Sequence, residues 1–90
     1  MEIIFSPQAL EDREFWIKSG NKAIMKKIIA LLEDIRKHPY SGRGKPEPLK
    51  YDLTGKWSRR INSEHRIIYS VHEEIIEVYI LSMRYHYSKK

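Results

Sequence analysis

Apolar and polar positions change their period along the chain, and each change marks an element. Glu2-Ile3-Ile4-Phe5 is a short apolar run closed by Ser6-Pro7, which predicts a first strand. Serine as N-cap with proline at the first helical position opens a helix, which is predicted to continue to about Lys18 and stop at Gly20. A second helix is predicted from near Asn21. There Ile24, Ile28, Leu31, Leu32 and Ile35 recur at the spacing of one buried stripe, while Lys26, Lys27, Glu33 and Asp34 occupy other faces. The two helices are expected to pair antiparallel.

Pro39 and the stretch Gly42 to Pro48 break the helical period, and the prolines predict an ordered loop rather than a flexible linker. Beyond it the pattern is strand-like: Lys56 to Asn62, His65 to His72 and Ile75 to Arg84, separated by the polar runs Asn62-Ser63-Glu64 and Glu73-Glu74. Such punctuation predicts an antiparallel meander. Alternation puts Trp57, Arg59 and Ile61 on one face and Ser58, Arg60 and Asn62 on the other, with Arg66 and Ile68 opposite in direction to Ile67, Tyr69 and Val71. If the first turn centres on Ser63, Arg60 faces Arg66 on one side of the sheet. Facing like charges destabilise a sheet unless an anion relieves them.

Ninety residues with 41% hydrophobic content bound one small folded domain that buries about 60 to 65% of its unfolded surface. The net charge is +5, and the isoelectric point is near 9.5. Arg36, Lys37, Arg43, Lys45, Lys50, Lys56, Arg59, Arg60 and Arg66 crowd into the central stretch. This concentration fits phosphate backbones or an acidic protein partner, and equally a solvated basic face. No cysteine is present, which excludes a disulfide framework and a thiolate metal site and fits a reducing compartment. No apolar run approaches a membrane span and no cationic-then-apolar leader opens the chain, so a cytoplasmic location and no membrane association are expected.

The candidate chemistry centres on Glu47. It stands between Pro46 and Pro48 and is flanked by Arg43, Lys45 and Lys50, so a stiff segment presents one carboxylate among cations. His86, in Arg84-Tyr85-His86-Tyr87, offers a complementary group that titrates near neutrality. Together they point to acid/base chemistry on an anion. Arg60 and Arg66 also fit a plainer reading, as surface arginines paired with Glu47 or Glu64. Trp57 and Tyr69 are assigned to packing, because strand aromatics facing helices bury large areas. His38, His65 and His72 show no ligand spacing and are read as surface or turn histidines, so no metal and no cofactor is expected.

Four blocks agree in order and spacing with one family. These are Gly42-Arg43-Gly44-Lys45-Pro46-Glu47-Pro48-Leu49-Lys50, Leu53-Thr54-Gly55-Lys56-Trp57-Ser58-Arg59-Arg60-Ile61, Glu64-His65-Arg66-Ile67-Ile68-Tyr69 and Arg84-Tyr85-His86-Tyr87. In them the chain closely resembles the YoeB toxins of the RelE superfamily. The resemblance implies an α+β fold with an N-terminal strand and two antiparallel helices on a curved antiparallel sheet. It also implies cleavage of messenger RNA in the ribosomal A site. By motif match, Glu47 falls on the general base, His86 on the general acid, Arg66 on the phosphate-stabilising position and Tyr87 on the active-site tyrosine. Lys50 and Arg60 fall on basic positions near the scissile phosphate, and Arg59 and Lys45 are taken with them as substrate-binding.

The toxin domain is expected to occupy residues 1–87, with residues 88–90 a flexible extension past the tyrosine that commonly ends the family. Expected partners are a cognate acidic antitoxin of the YefM kind, the ribosome and its message, operator DNA through the antitoxin complex alone, and a second copy in a homodimer. The alternative is a non-catalytic basic module that binds RNA, the ribosome or the antitoxin.

Overall fold

A computed structural model describes residues 1–85. The expectations for His86, Tyr87 and residues 88–90 lie outside the described residues. In chain order the elements are β1 (Glu2–Phe5), α1 (Pro7–Ser19), α2 (Lys22–Lys37), β2 (Glu47–Pro48), β3 (Lys56–Arg60), β4 (Arg66–His72) and β5 (Glu77–Ser82), with 3₁₀ turns at Tyr51–Leu53 and Glu73–Ile75.

Local signals place the helix ends. The Ser6 hydroxyl accepts from the Ala9 N–H at 3.0 Å, Pro7 needs no donor partner there, and Gly20 closes α1 in the left-handed region at φ +72. Asn21 caps α2 by accepting from the Ile24 N–H at 3.1 Å. The predicted stripe of α2 faces inward: Ile28, Leu31 and Ile35 are buried, and Ile24 and Leu32 pack partly buried against the same core.

The two helices pack on a five-stranded sheet ordered β1-β5-β4-β3-β2. Strands β3, β4 and β5 form the expected antiparallel meander. β1 joins it parallel to β5, from Glu2 opposite Glu77 to Phe5 opposite Ile80, so the sheet is mixed rather than wholly antiparallel. The chain between β1 and β5 carries both helices and the rest of the sheet, a long crossover of the kind parallel pairing requires. One core unites Trp16 and Leu31 from the helices with Ile67, Tyr69, Val78 and Ile80 from the sheet. Each fully buried aliphatic side chain there contributes about 1.5–3 kcal/mol.

The strands are shorter than the sequence pattern predicts: β3 stops at Arg60 rather than Asn62, β4 starts at Arg66 rather than His65, and β5 ends at Ser82 rather than Arg84. Glu47-Pro48, expected within a loop, pairs antiparallel with β3; proline is tolerated because β2 is an edge strand. β5 begins at Glu77 rather than Ile75, because Glu73–Ile75 form a 3₁₀ turn and Ile76 follows at φ +57. Among the described residues, no helix is long and apolar enough to cross a membrane.

Candidate functional site

The sheet face turned away from the helices carries the charges singled out above. Glu47 pairs with Ser58, Ser58 with Ile68, and Arg60 with Arg66; directly opposed residues point the same way. Glu47, Arg60 and Arg66 therefore share one face on three neighbouring strands. Arg60 and Glu47 are exposed and Arg66 is half-buried. Among the described residues none of the three forms an ion pair or a side-chain hydrogen bond, so the pairing of these arginines with Glu47 or Glu64 does not occur. Ser58 and Ile68 lie buried beneath them, a firm floor under the charges. Lys45 and Lys50 are exposed on either side of Glu47.

The loop that delivers Glu47 is held from below by Arg59. Expected among the substrate-binding residues, Arg59 is instead 0% exposed, and this corrects its assignment. Its Nε donates to the Tyr69 hydroxyl at 3.0 Å. Nη1 donates to Asp34 Oδ2 at 2.6 Å and to the Arg43 carbonyl at 2.9 Å, and Nη2 donates to the carbonyls of His38 and Ser41. An arginine has five N–H donors, and all five are taken. The Tyr69 hydroxyl in turn donates to the Pro39 carbonyl at 2.7 Å, and Asp34 also accepts from the Arg43 N–H at 3.0 Å.

These bonds stitch residues 38–43 to α2, β3 and β4, just before Gly44, whose carbonyl accepts from the Arg60 N–H at 2.6 Å. The Arg43 N–H first and the Arg59 guanidinium second hold the Asp34 carboxyl below its usual value. Burial pushes the Tyr69 phenol up, with Arg59 pulling the other way.

The segment leading to His86 is anchored as firmly. The Met83 N–H donates to the buried Asp12 carboxylate at 2.8 Å, and Trp16 Nε1 donates to the Met83 carbonyl at 2.9 Å. The Tyr85 N–H donates to His65 Nδ1 at 2.8 Å, and the Arg66 N–H donates to the Tyr85 carbonyl at 3.1 Å. The chain reaches Tyr85 in the left-handed region at φ +61, beside the strand that carries Arg66. His65 is thus no surface histidine. It is 8% exposed, stacks edge-on against Trp16 with ring centroids 4.9 Å apart, and as an Nδ1 acceptor carries its ring proton on Nε2.

Sequence reasoning missed Asp34, Asp12 and His65 as positioning groups. Asp34 borders the predicted stripe, between Leu31 and Ile35, and that adjacency was the one available signal. Trp57 and Tyr69 pack as expected, Tyr69 in the core and Trp57 against its edge. Among the described residues no group of three or more His, Asp or Glu side chains is placed to hold a metal ion.

A carboxylate at the sheet edge and two guanidiniums across the same face, unpaired among the described residues, can accept a proton beside a phosphodiester and hold its anionic oxygens. The family described as "YoeB-like toxin of bacterial type II toxin-antitoxin system" matches residues 5–87. Toxin YoeB of Escherichia coli K12 is 45% identical over 87 residues, covering 97% of this chain and 100% of that protein. Among solved structures, the YoeB-YefM complex from Staphylococcus aureus matches with TM-score 0.82 and 46% identity. The YoeB dimer from the same organism matches with TM-score 0.83 and 45% identity. Each match covers 97% of this chain and 98% of that one.

Proposed function

Because the chain belongs to the YoeB-like toxins of bacterial type II toxin-antitoxin systems, we propose that it is an endoribonuclease that cuts messenger RNA in the ribosomal A site and so arrests translation. RNA supplies its own nucleophile. Glu47 removes the 2′-hydroxyl proton, the 2′-oxygen bonds to phosphorus, and the bond from phosphorus to the 5′-oxygen breaks. Arg66, with Lys50 and Arg60, neutralises the charge that develops on the phosphate oxygens. His86 protonates the departing 5′-oxygen, and Tyr87 aligns the site. The products are a 2′,3′-cyclic phosphate and a 5′-hydroxyl, and the scheme uses no metal.

The observation that carries this reading is the facing Arg60–Arg66 pair, which no carboxylate among the described residues neutralises, on the same face as Glu47. A structural protein gains nothing from two unpaired guanidiniums set opposite each other; a phosphate site does. Residues 1–87 act as one toxin domain in the cytoplasm. Its partners are the ribosome with its message and an acidic antitoxin of the kind present in the Staphylococcus aureus YoeB-YefM complex, through which operator DNA is reached. The dimer described for the Staphylococcus aureus protein supports a homodimer here.

The test is to incubate the purified protein with programmed ribosomes and, separately, with naked message, map the new ends, and compare Glu47→Gln, Arg66→Ala and His86→Gln. Cleavage with cyclic-phosphate ends that fails in all three variants is expected. Wild-type-like cutting by all three variants would remove the site assignment. Tight ribosome binding with no cutting by the wild type would leave the non-catalytic module as the better reading.

A further inference from the structure

Lys27 lies on α2, outside every motif discussed above. It nevertheless lines an open cavity of about 370 Å³ together with Gly44, Lys45, Arg60, Asn62 and Ser63. Three cations from three separate segments thus meet at one concavity, and no carboxylate lines it. Among the described residues Lys27, Lys45 and Arg60 form no ion pair. Like charges collected in this way raise the energy of the empty site and favour an anion in it.

The rest of the wall suits the same ligand. Asn62 Oδ1 already accepts from the N–H groups of Glu64 at 2.8 Å and His65 at 2.7 Å, which leaves the amide N–H₂ as its free donor. Gly44, at φ +80, keeps the wall thin: a Cβ there would stand 2.8 Å from Leu31 Cδ2 and 3.2 Å from the Arg60 carbonyl oxygen. Arg60 also faces Arg66 on the open sheet face, so one residue is shared between the cavity and the proposed reaction site.

We propose that the Lys27–Lys45–Arg60 cavity binds a phosphodiester of the RNA strand flanking the one that is cut. The inference rests on the nuclease reading and extends it to a second phosphate subsite. Single-stranded RNA is favoured over an acidic polypeptide because the cavity gathers three cations with amide and hydroxyl groups and no carboxylate, a lining matched to the compact, regularly spaced charges of a phosphodiester backbone.

The experiment compares wild type with Lys27→Ala, Lys27→Arg and, as a charge-matched control on the adjacent exposed position, Lys26→Ala. On programmed ribosomes, Lys27→Ala is expected to raise KM about tenfold with kcat retained, while Lys27→Arg and Lys26→Ala stay within about twofold of wild type. Binding of a fully 2′-O-methylated single-stranded RNA, which cannot be cut, is measured across salt concentrations. There Lys27→Ala is expected to flatten the slope of log K against log salt by about 0.7, and Lys26→Ala is not. This second readout needs no cleavage, so a wild type that fails to cut leaves the subsite test intact. Equal behaviour of the two alanine variants in both assays would overturn the subsite. So would a Lys27→Ala defect confined to capture of an acidic antitoxin.

Discussion

Asp34 Oδ2 lies 2.6 Å from Nη1 of Arg59, and this ion pair, buried on the arginine side, ties α2 to β3 beneath the loop that carries Lys45 and Glu47. Arg59 has no solvent to fall back on. Removing Asp34 strands a buried guanidinium and breaks the bond to the Arg43 N–H as well. Asp34→Ala is therefore expected to destabilise the fold by about 3–5 kcal/mol, read as a shift of the urea midpoint. A loss under about 1 kcal/mol would show that the loop is held by other means.

The same carboxylate sets an acid limit on stability. Its folded pKa lies below its ordinary value, so the unfolded chain binds the proton more tightly and stability rises with pH through that range. Its contribution is complete above the ordinary carboxylate range near pH 4, and it is lost as pH falls from there through the lowered folded value. Urea unfolding between pH 7 and pH 2.5 should show this loss in the wild type and a flatter profile in Asp34→Asn. Parallel profiles would count against the assignment.

Gly44 is expected to tolerate no side chain. A Cβ there would meet Leu31, the Arg60 carbonyl and Arg59 Cβ at 2.8, 3.2 and 3.3 Å, at a backbone φ of +80. Gly44→Ala should destabilise by about 1–3 kcal/mol and reduce cleavage. Gly55→Ala, at φ +94 with open space around it, should lose only about 1 kcal/mol and keep its activity. Thermal melts of the two variants separate crowding from backbone strain.

Trp16 is expected to influence cleavage from a distance. Trp16→Phe keeps an aromatic ring but removes the pyrrole half of a buried indole and its hydrogen bond to the Met83 carbonyl, which together should lower stability by about 1–3 kcal/mol. Because that bond fixes the chain three residues before His86, single-turnover cleavage should slow while KM holds. Unchanged single-turnover rates would mean that His86 is placed without this anchor.

Arg66 should show opposite effects on function and on folding. Arg66→Gln is expected to lower kcat about 100- to 1,000-fold by removing a stabiliser of the phosphate. It also relieves the repulsion with Arg60, so the melting temperature at low salt should not fall below that of the wild type. Any gain should fade as salt screens the pair. A marked drop in melting temperature would identify Arg66 as a structural residue.

Local chemistry made much of this protein readable without coordinates. The Ser6 and Asn21 caps, the inward stripe of α2 and the Ser63-centred turn that sets Arg60 against Arg66 all depend on neighbours a few residues apart, where backbone preference and side-chain period dominate. Glu47, Lys45, Lys50, Arg60 and Arg66 were legible for the same reason, as charges on a stiff loop and on the polar side of alternating strands. The parallel docking of β1 on β5, the two-residue edge strand at Glu47, and the burial of Arg59 and His65 were settled only by the tertiary structure. Alternation tells which face Arg59 takes. It does not tell that carbonyls from residues 38, 41 and 43, a carboxylate from α2 and a phenol from β4 converge there to satisfy every donor. That outcome depends on contacts between segments far apart in the chain, which come together only once the helices close over the sheet.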